Sequence, residues 1–138
     1  MPADGFASVI PDSHRELAEK AGIAILSTFG PDGFPQSTAV GYLLDDDVFR
    51  ISVSSGKQKL RNLQQRSECT VFILDPANAH RTLEVRGRAE LIPDDDFVWA
   101  AKLAESRGGT VEDVRRITPS GERRFCIAVH PVKSNTFG

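Results

Sequence analysis

The chain has 138 residues, 40% hydrophobic and 26% charged, with a formal net charge of −2. That size and makeup suit one ordinary globular domain, 1–138, built around a single core. The charge balance gives no general attraction to nucleic acid or an anionic membrane, and no apolar stretch approaches the ~20 residues that cross a bilayer, so neither partner is expected.

The opening stretch "MPADGFASVIPDSHRE" has no basic region followed by a long apolar one, which leads to an expected cytoplasmic location. Asp12 or Ser13 is expected to cap a short helix, "HRELAEKAG", with Leu17, Ala18 and Ala21 at helical spacing and Gly22 as its stop. "IAILSTF" and "FPQSTAVGYLL" read as strands of a hairpin joined by the turn signal "GPDG". The run Asp45, Asp46, Asp47 is a tight polar connection to "VFRISVSS", where Val48, Arg50, Ser52 and Ser54 alternate against Phe49, Ile51 and Val53. A helix, "GKQKLRNLQQ", follows.

"CTVFILD" is a nearly uninterrupted apolar strand. Beyond a loop, "PANAHR", the strand "RTLEVRGRAELI" sets Leu83, Val85 and Gly87 against Glu84, Arg86 and Arg88. "PDDDFVWAAKLAESRGG" is a capped and stopped helix whose buried stripe is expected at Phe97, Ala100, Ala101 and Ala104. A second short helix at "TVEDVRRI" precedes a last strand, "RRFCIAVHPVKSNTFG". Six strands in this order do not alternate in βαβ fashion, so the expected fold is a mainly antiparallel β-barrel with flanking helices, closed so that no edge is exposed.

Lys57, Lys59 and Arg61 stand in the opening turns of the helix after Gly56, where the macrodipole already places partial positive charge. One reading makes this an anion site, with the Ser54 and Ser55 hydroxyls, the N–H groups beyond Gly56 and the cations converging on a phosphate. The other makes Lys57, Gln58, Arg61 and Gln64 the wet face of an amphipathic helix with Leu60 and Leu63 inside. The pattern is neither a Walker A loop nor a dinucleotide-binding glycine motif. Gln36, Ser37 and Thr38 open an otherwise apolar strand and have the donors and acceptors to read the edge of a heterocycle, although a strand that starts at a surface turn is also polar there.

No nucleophile with a base and an orienting group is readable, and no catalytic residue is assigned. Cys69 and Cys126 lie in apolar runs as buried, reduced side chains, and His14, His80 and His130 fall into no metal-ligand spacing with them, so no metal is expected. Hard chemistry in such a chain belongs to a bound cofactor.

The order of "AILSTFGPDGFPQSTAVGY", "VFRISVSS" entering "GKQKLRNLQQ", "CTVFILDP" and "LEVRGRAELI", with the closing strand, resembles the flavin-binding split-barrel superfamily of pyridoxamine 5′-phosphate oxidase-like proteins. The "TFGPDGFPQ" hairpin and the "K-x-K-x-R-N-L" helix are most similar to the actinobacterial branch that uses the deazaflavin coenzyme F-420. The resemblance implies a six-stranded split barrel forming a homodimer, with cofactor sites at the subunit interface. By position, Lys57 and Lys59 would hold the cofactor's phosphate region, and Ser52, Ser54, Gln36, Ser37 and Thr38 would line the ring. The implied activity is hydride transfer to a small electron-poor organic substrate. FMN as the cofactor, or cofactor binding without turnover, are the alternatives; haem ranks last, because no histidine maps onto an axial ligand.

Overall fold

Residues 8–138 are described by a computed structural model of the protein. The start of the stretch read above for a targeting segment, residues 1–7, lies outside the described residues. Among the described residues no helix is long and apolar enough to cross a membrane.

A 3-10 turn, Asp12–His14, leads into α1 (Arg15–Lys20). The expected cap by Asp12 or Ser13 is not made. Entry through the 3-10 turn moves the capping position to His14, and Ser13 Oγ lies 2.8 Å from His14 Nδ1 instead.

Seven strands follow: β1 (Ile23–Phe29), β2 (Pro35–Gly41), β3 (Leu43–Asp45), β4 (Val48–Ser54), β5 (Glu68–Asp75), β6 (Asn78–Pro93) and β7 (Arg124–Phe137). They form one antiparallel sheet in the order β2-β1-β5-β6-β7-β4-β3, curled with helices against it.

The count is one more than the six expected, because "FPQSTAVGYLL" is two strands. Up to Gly41 the chain pairs with β1, whereas Leu43–Asp45 pair with β4. Tyr42 is the corner: its ring is buried 5.3 Å from that of Phe49, and its hydroxyl donates to the Ala18 carbonyl at 2.6 Å. The two terminal strands of the sheet order are therefore joined through one residue. The β3–β4 hairpin turns on Asp46 and Asp47, both at positive φ, as the primed two-residue turn requires.

The segment "PANAHR" is also more regular than expected. The Asp75 carboxylate accepts from the Ala77 N–H at 2.9 Å, closing a turn so tight that β6 already begins at Asn78. Along β6, Leu83, Val85 and Gly87 are buried as the alternation predicts. A Cβ at Gly87 would stand 2.6 Å from the His130 carbonyl oxygen, so only glycine lets β7 approach there.

The core inside the curl joins Phe49, Ile51 and Val53 of β4 to Val71, Ile73, Leu83, Val85, Ile127 and Val129. Helix α2 (Gln58–Gln65) adds Leu60 and Leu63. Helices α3 (Val98–Ser106) and α4 (Val111–Ile117) pack on one another, with α3 against β4 and β7. The Asp94 carboxylate starts α3 by accepting from the N–H groups of Val98, Trp99 and Ala100 at 2.9, 3.2 and 3.0 Å. Of the expected stripe on this helix, Ala100 is fully buried, while Phe97, Ala101 and Ala104 are half-buried.

Candidate functional site

The polar side of β4 does not face open solvent: α3 packs against it, and α4 packs on α3. Arg50 is held under the Trp99 ring, 4.3 Å from its centroid, and Ser54 is buried. Beyond the Tyr42 corner, β2 is bonded only to β1, and Ile51–Ser54 of β4 only to β7. The facing edges of β2 and β4 thus carry no ladder hydrogen bonds to each other, and the barrel is split there.

A cavity of about 330 Å³ opens in this split. Its walls are residues 39–41 of β2, 51–54 of β4, Lys57, Lys59, Leu103, Ile117 and Arg124. A second cavity of about 270 Å³ shares Gly41, Ser52, Leu103, Ile117 and Arg124 and continues along α3 to Ala100, Ala104 and Arg107. The two make one trench. Its volume lies at the lower end of the range for small-molecule sites.

The structure brings Ser52, Ser54, Lys57 and Lys59 to this cavity. Among the described residues no side chain caps α2 and no carboxylate lines the cavity. Burial, and then the neighbouring charge of Lys57, hold the Lys59 ammonium below the ordinary lysine range. An anion placed between the two lysines would relieve that repulsion.

Other parts of the expected phosphate cradle are already engaged. Ser55 Oγ accepts from the Arg123 N–H at 3.0 Å, and the Gly56 N–H donates to the Glu122 carboxylate at 2.7 Å. Arg61 turns back onto the Gly56 carbonyl at 2.9 Å and onto Gln58 Oε1, so it braces the turn and does not enter the cavity. The convergence read from the sequence thus reduces to Ser54 and the two lysines, because Glu122 and Arg123, just before β7, engage Gly56 and Ser55, and Arg61 folds back on its own turn. Asn62 is buried and donates to Thr28 Oγ1 at 3.0 Å and Gln36 Oε1 at 2.9 Å, tying α2 to β1 and β2.

Gln36, Ser37 and Thr38 lie outside the cavity, on the exposed half of β2. Gln36 is oriented by Asn62, and Ser37 Oγ lies 2.7 Å from Ser27 Oγ. The whole run Pro31–Ala39 is exposed, including Phe34 at 70%.

Sequence reasoning missed Arg124. It is buried, donates to Ser52 Oγ at 2.8 Å and Thr118 Oγ1 at 3.2 Å, and leaves its Nε without a partner among the described residues. Burial lowers its pKa. The only signal in the sequence was an arginine where a strand enters the core, and its meaning depends on the pairing of Ser54 with Arg124 across the sheet.

Both thiols are buried, that of Cys69 pushed up to about 12 by desolvation, so they are inert side chains of the core. A larger hollow of about 550 Å³ lies against β1, β5, β6 and β7, with Arg66, Arg86, Arg88 and Lys133 on its rim. There Arg66 stacks 3.7 Å from the Phe29 centroid and Arg86 pairs with Glu84, and none of the expected cofactor-binding residues is among those that line it.

Residues 10–133 match the family model described as pyridoxamine 5′-phosphate oxidase. Among solved structures, an F-420 reductase is 29% identical with a TM-score of 0.79, over 91% of this chain and 98% of its own. A conserved hypothetical protein from Mycobacterium tuberculosis is 18% identical with a TM-score of 0.76, over 94% of this chain and 85% of that one. The heme storage protein of Vibrio cholerae is 14% identical with a TM-score of 0.68, over 95% and 96%. The last two likenesses are of fold alone. No curated protein matches the chain.

Proposed function

The chain belongs to the pyridoxamine 5′-phosphate oxidase family, and on that premise we propose that it is a coenzyme F-420-dependent reductase that passes a hydride to a small electron-poor organic substrate. The observation that carries this reading is the pair Lys57 and Lys59, which line a split-barrel cavity with no carboxylate in its wall among the described residues. The F-420 reductase that matches nearly end to end supports the deazaflavin over other members of the flavin family.

In this reading Lys57 and Lys59 hold the phosphate region, and the Ser52 and Ser54 hydroxyls line the slot for the ring. When bound, the deazaflavin supplies the hydride. Leu103, with Ile117 at the more exposed edge, lines the slot and helps to hold the ring's orientation, which is the protein's share of catalysis when the cofactor carries the chemistry. Gln36, Ser37 and Thr38 contribute from the exposed β2 surface once a second copy covers it. A homodimer with cofactor sites at the interface accounts for that exposed run and for Phe34 at its tip.

Side-by-side fluorescence titrations of the purified protein with coenzyme F-420 and with FMN test the reading. Tighter F-420 binding is the expected result. A preference for FMN would move the chemistry to a conventional flavin in the same barrel, and binding of neither would overturn the proposal.

A further inference from the structure

The trench carries positive charge at two separate places. Lys57 and Lys59 lie at one end, while Arg124 sits where the two cavities overlap, with Arg107 farther along. Among the described residues no aspartate or glutamate lines either cavity. Arg124 is only 7% exposed and has no carboxylate within ion-pairing distance among the described residues. Its two hydrogen bonds go to neutral hydroxyls, and a guanidinium has more N–H donors than these use.

A buried charge with no ion pair in contact, on which the Asp94 and Glu122 carboxylates act only from farther away, is costly to keep out of water, and a ligand that pairs with it directly would offset that cost. The surrounding wall is apolar: Ala100, Leu103, Ala104, Val114 and Ile117. A compartment with an apolar wall and one buried cation suits a ligand with an apolar body and a single oxyanion head.

We propose that the compartment around Arg124 is a substrate subsite for small carboxylates with an apolar body, and that Arg124 reads the carboxylate. This rests on the reductase reading for its purpose, since it names the substrate class, but not for its binding chemistry. The lysine end keeps the cofactor phosphate, and the Arg124 end selects what is reduced. An α,β-unsaturated carboxylate meets both demands: its head is anionic, and once Arg124 neutralises that charge its C=C bond can take the cofactor's hydride at the β-carbon and a proton from water at the α-carbon. Arg124 would hold that head in a charge-assisted bidentate pair, which is stronger and more directional than a neutral hydrogen bond.

The test is calorimetric titration of the cofactor-free protein with cinnamate and, separately, with cinnamamide, which keeps the shape and removes the charge. Wild type should prefer cinnamate by about tenfold or more, as loss of a charge-assisted pair implies. Arg124→Met should erase the preference, Arg124→Lys should retain part of it, and Lys57→Ala/Lys59→Ala should leave it intact. Equal affinity of wild type for the two probes, or binding of neither up to about 10 mM, would overturn the proposal whatever the variants do. Loss of the preference in the lysine double variant would also overturn it, since the lysines would then be the readers. Failure of the reductase reading looks different: F-420 fails to bind while the cinnamate preference persists.

Discussion

The two sides of the barrel solve opposite problems. Along β5, β6 and β7 the strands pair over long registers, and their inward residues, Val71, Ile73, Leu83, Val85, Ile127 and Val129, are fully enclosed. Between β2 and β4 the ladder stops at the Tyr42 corner, the facing edges are unpaired, and the lining residues carry hydroxyls and cations that make no ion pair among the described residues. The paired wall supplies stability, and that margin lets the split keep charges that contribute none. Substitutions on the two sides should therefore separate: stability lost on one, binding lost on the other.

The largest expected effect falls on the paired wall. Leu83→Ala removes a fully buried side chain and should cost about 2–5 kcal/mol in chemical denaturation. Asn62 joins the two sides, since it fixes α2 to Thr28 and Gln36. Asn62→Ala leaves both acceptors unpaired and should cost about 1–3 kcal/mol while also loosening the cofactor, a mixed result that denaturation and titration together would show. Asp94→Ala removes the acceptor for three N–H groups at the start of α3 and should cost about 0.5–2 kcal/mol, with fraying of the helix that roofs the trench.

The smallest effect is a pH dependence. Protonated Lys59 attracts an anion, and its pKa lies below the usual lysine value of 10.5 because of burial and of Lys57. Affinity for F-420 should be full at neutral pH and begin to fall as pH rises through that lowered value. A phosphate held there would raise the pKa of Lys59, so the loss should extend upward in pH. Lys59→Arg should shift the fall to higher pH, which a titration series across alkaline pH would detect.

Much of the barrel was legible in the sequence because its signals are local. Alternation marked β4 and β6, an apolar run marked β5, and the turn residues marked the hairpins. The break at Tyr42 was not legible, since nothing near it says that the chain changes partner from β1 to β4; the buried packing against Phe49 and Ala18 decides that. That four residues on β4 and at the start of α2 line one cavity was readable because they are neighbours in sequence. Arg124 joins them through a strand pairing some seventy positions away in the chain, which no local pattern encodes. Ser55 and Arg61 looked equivalent to their neighbours, and only the arrival of β7 and the curl of the side chain onto Gly56 separate them.

The central claim is that the unpaired split, through Lys57 and Lys59, is where the cofactor's phosphate is held. Its most direct test is the F-420 affinity of Lys57→Ala/Lys59→Ala against wild type, with both melting temperatures measured alongside. Binding weakened by about 2 kcal/mol or more, at unchanged or higher melting temperature, is the predicted result. Unchanged affinity in a folded double variant would contradict the account and leave the two lysines as a solvated face.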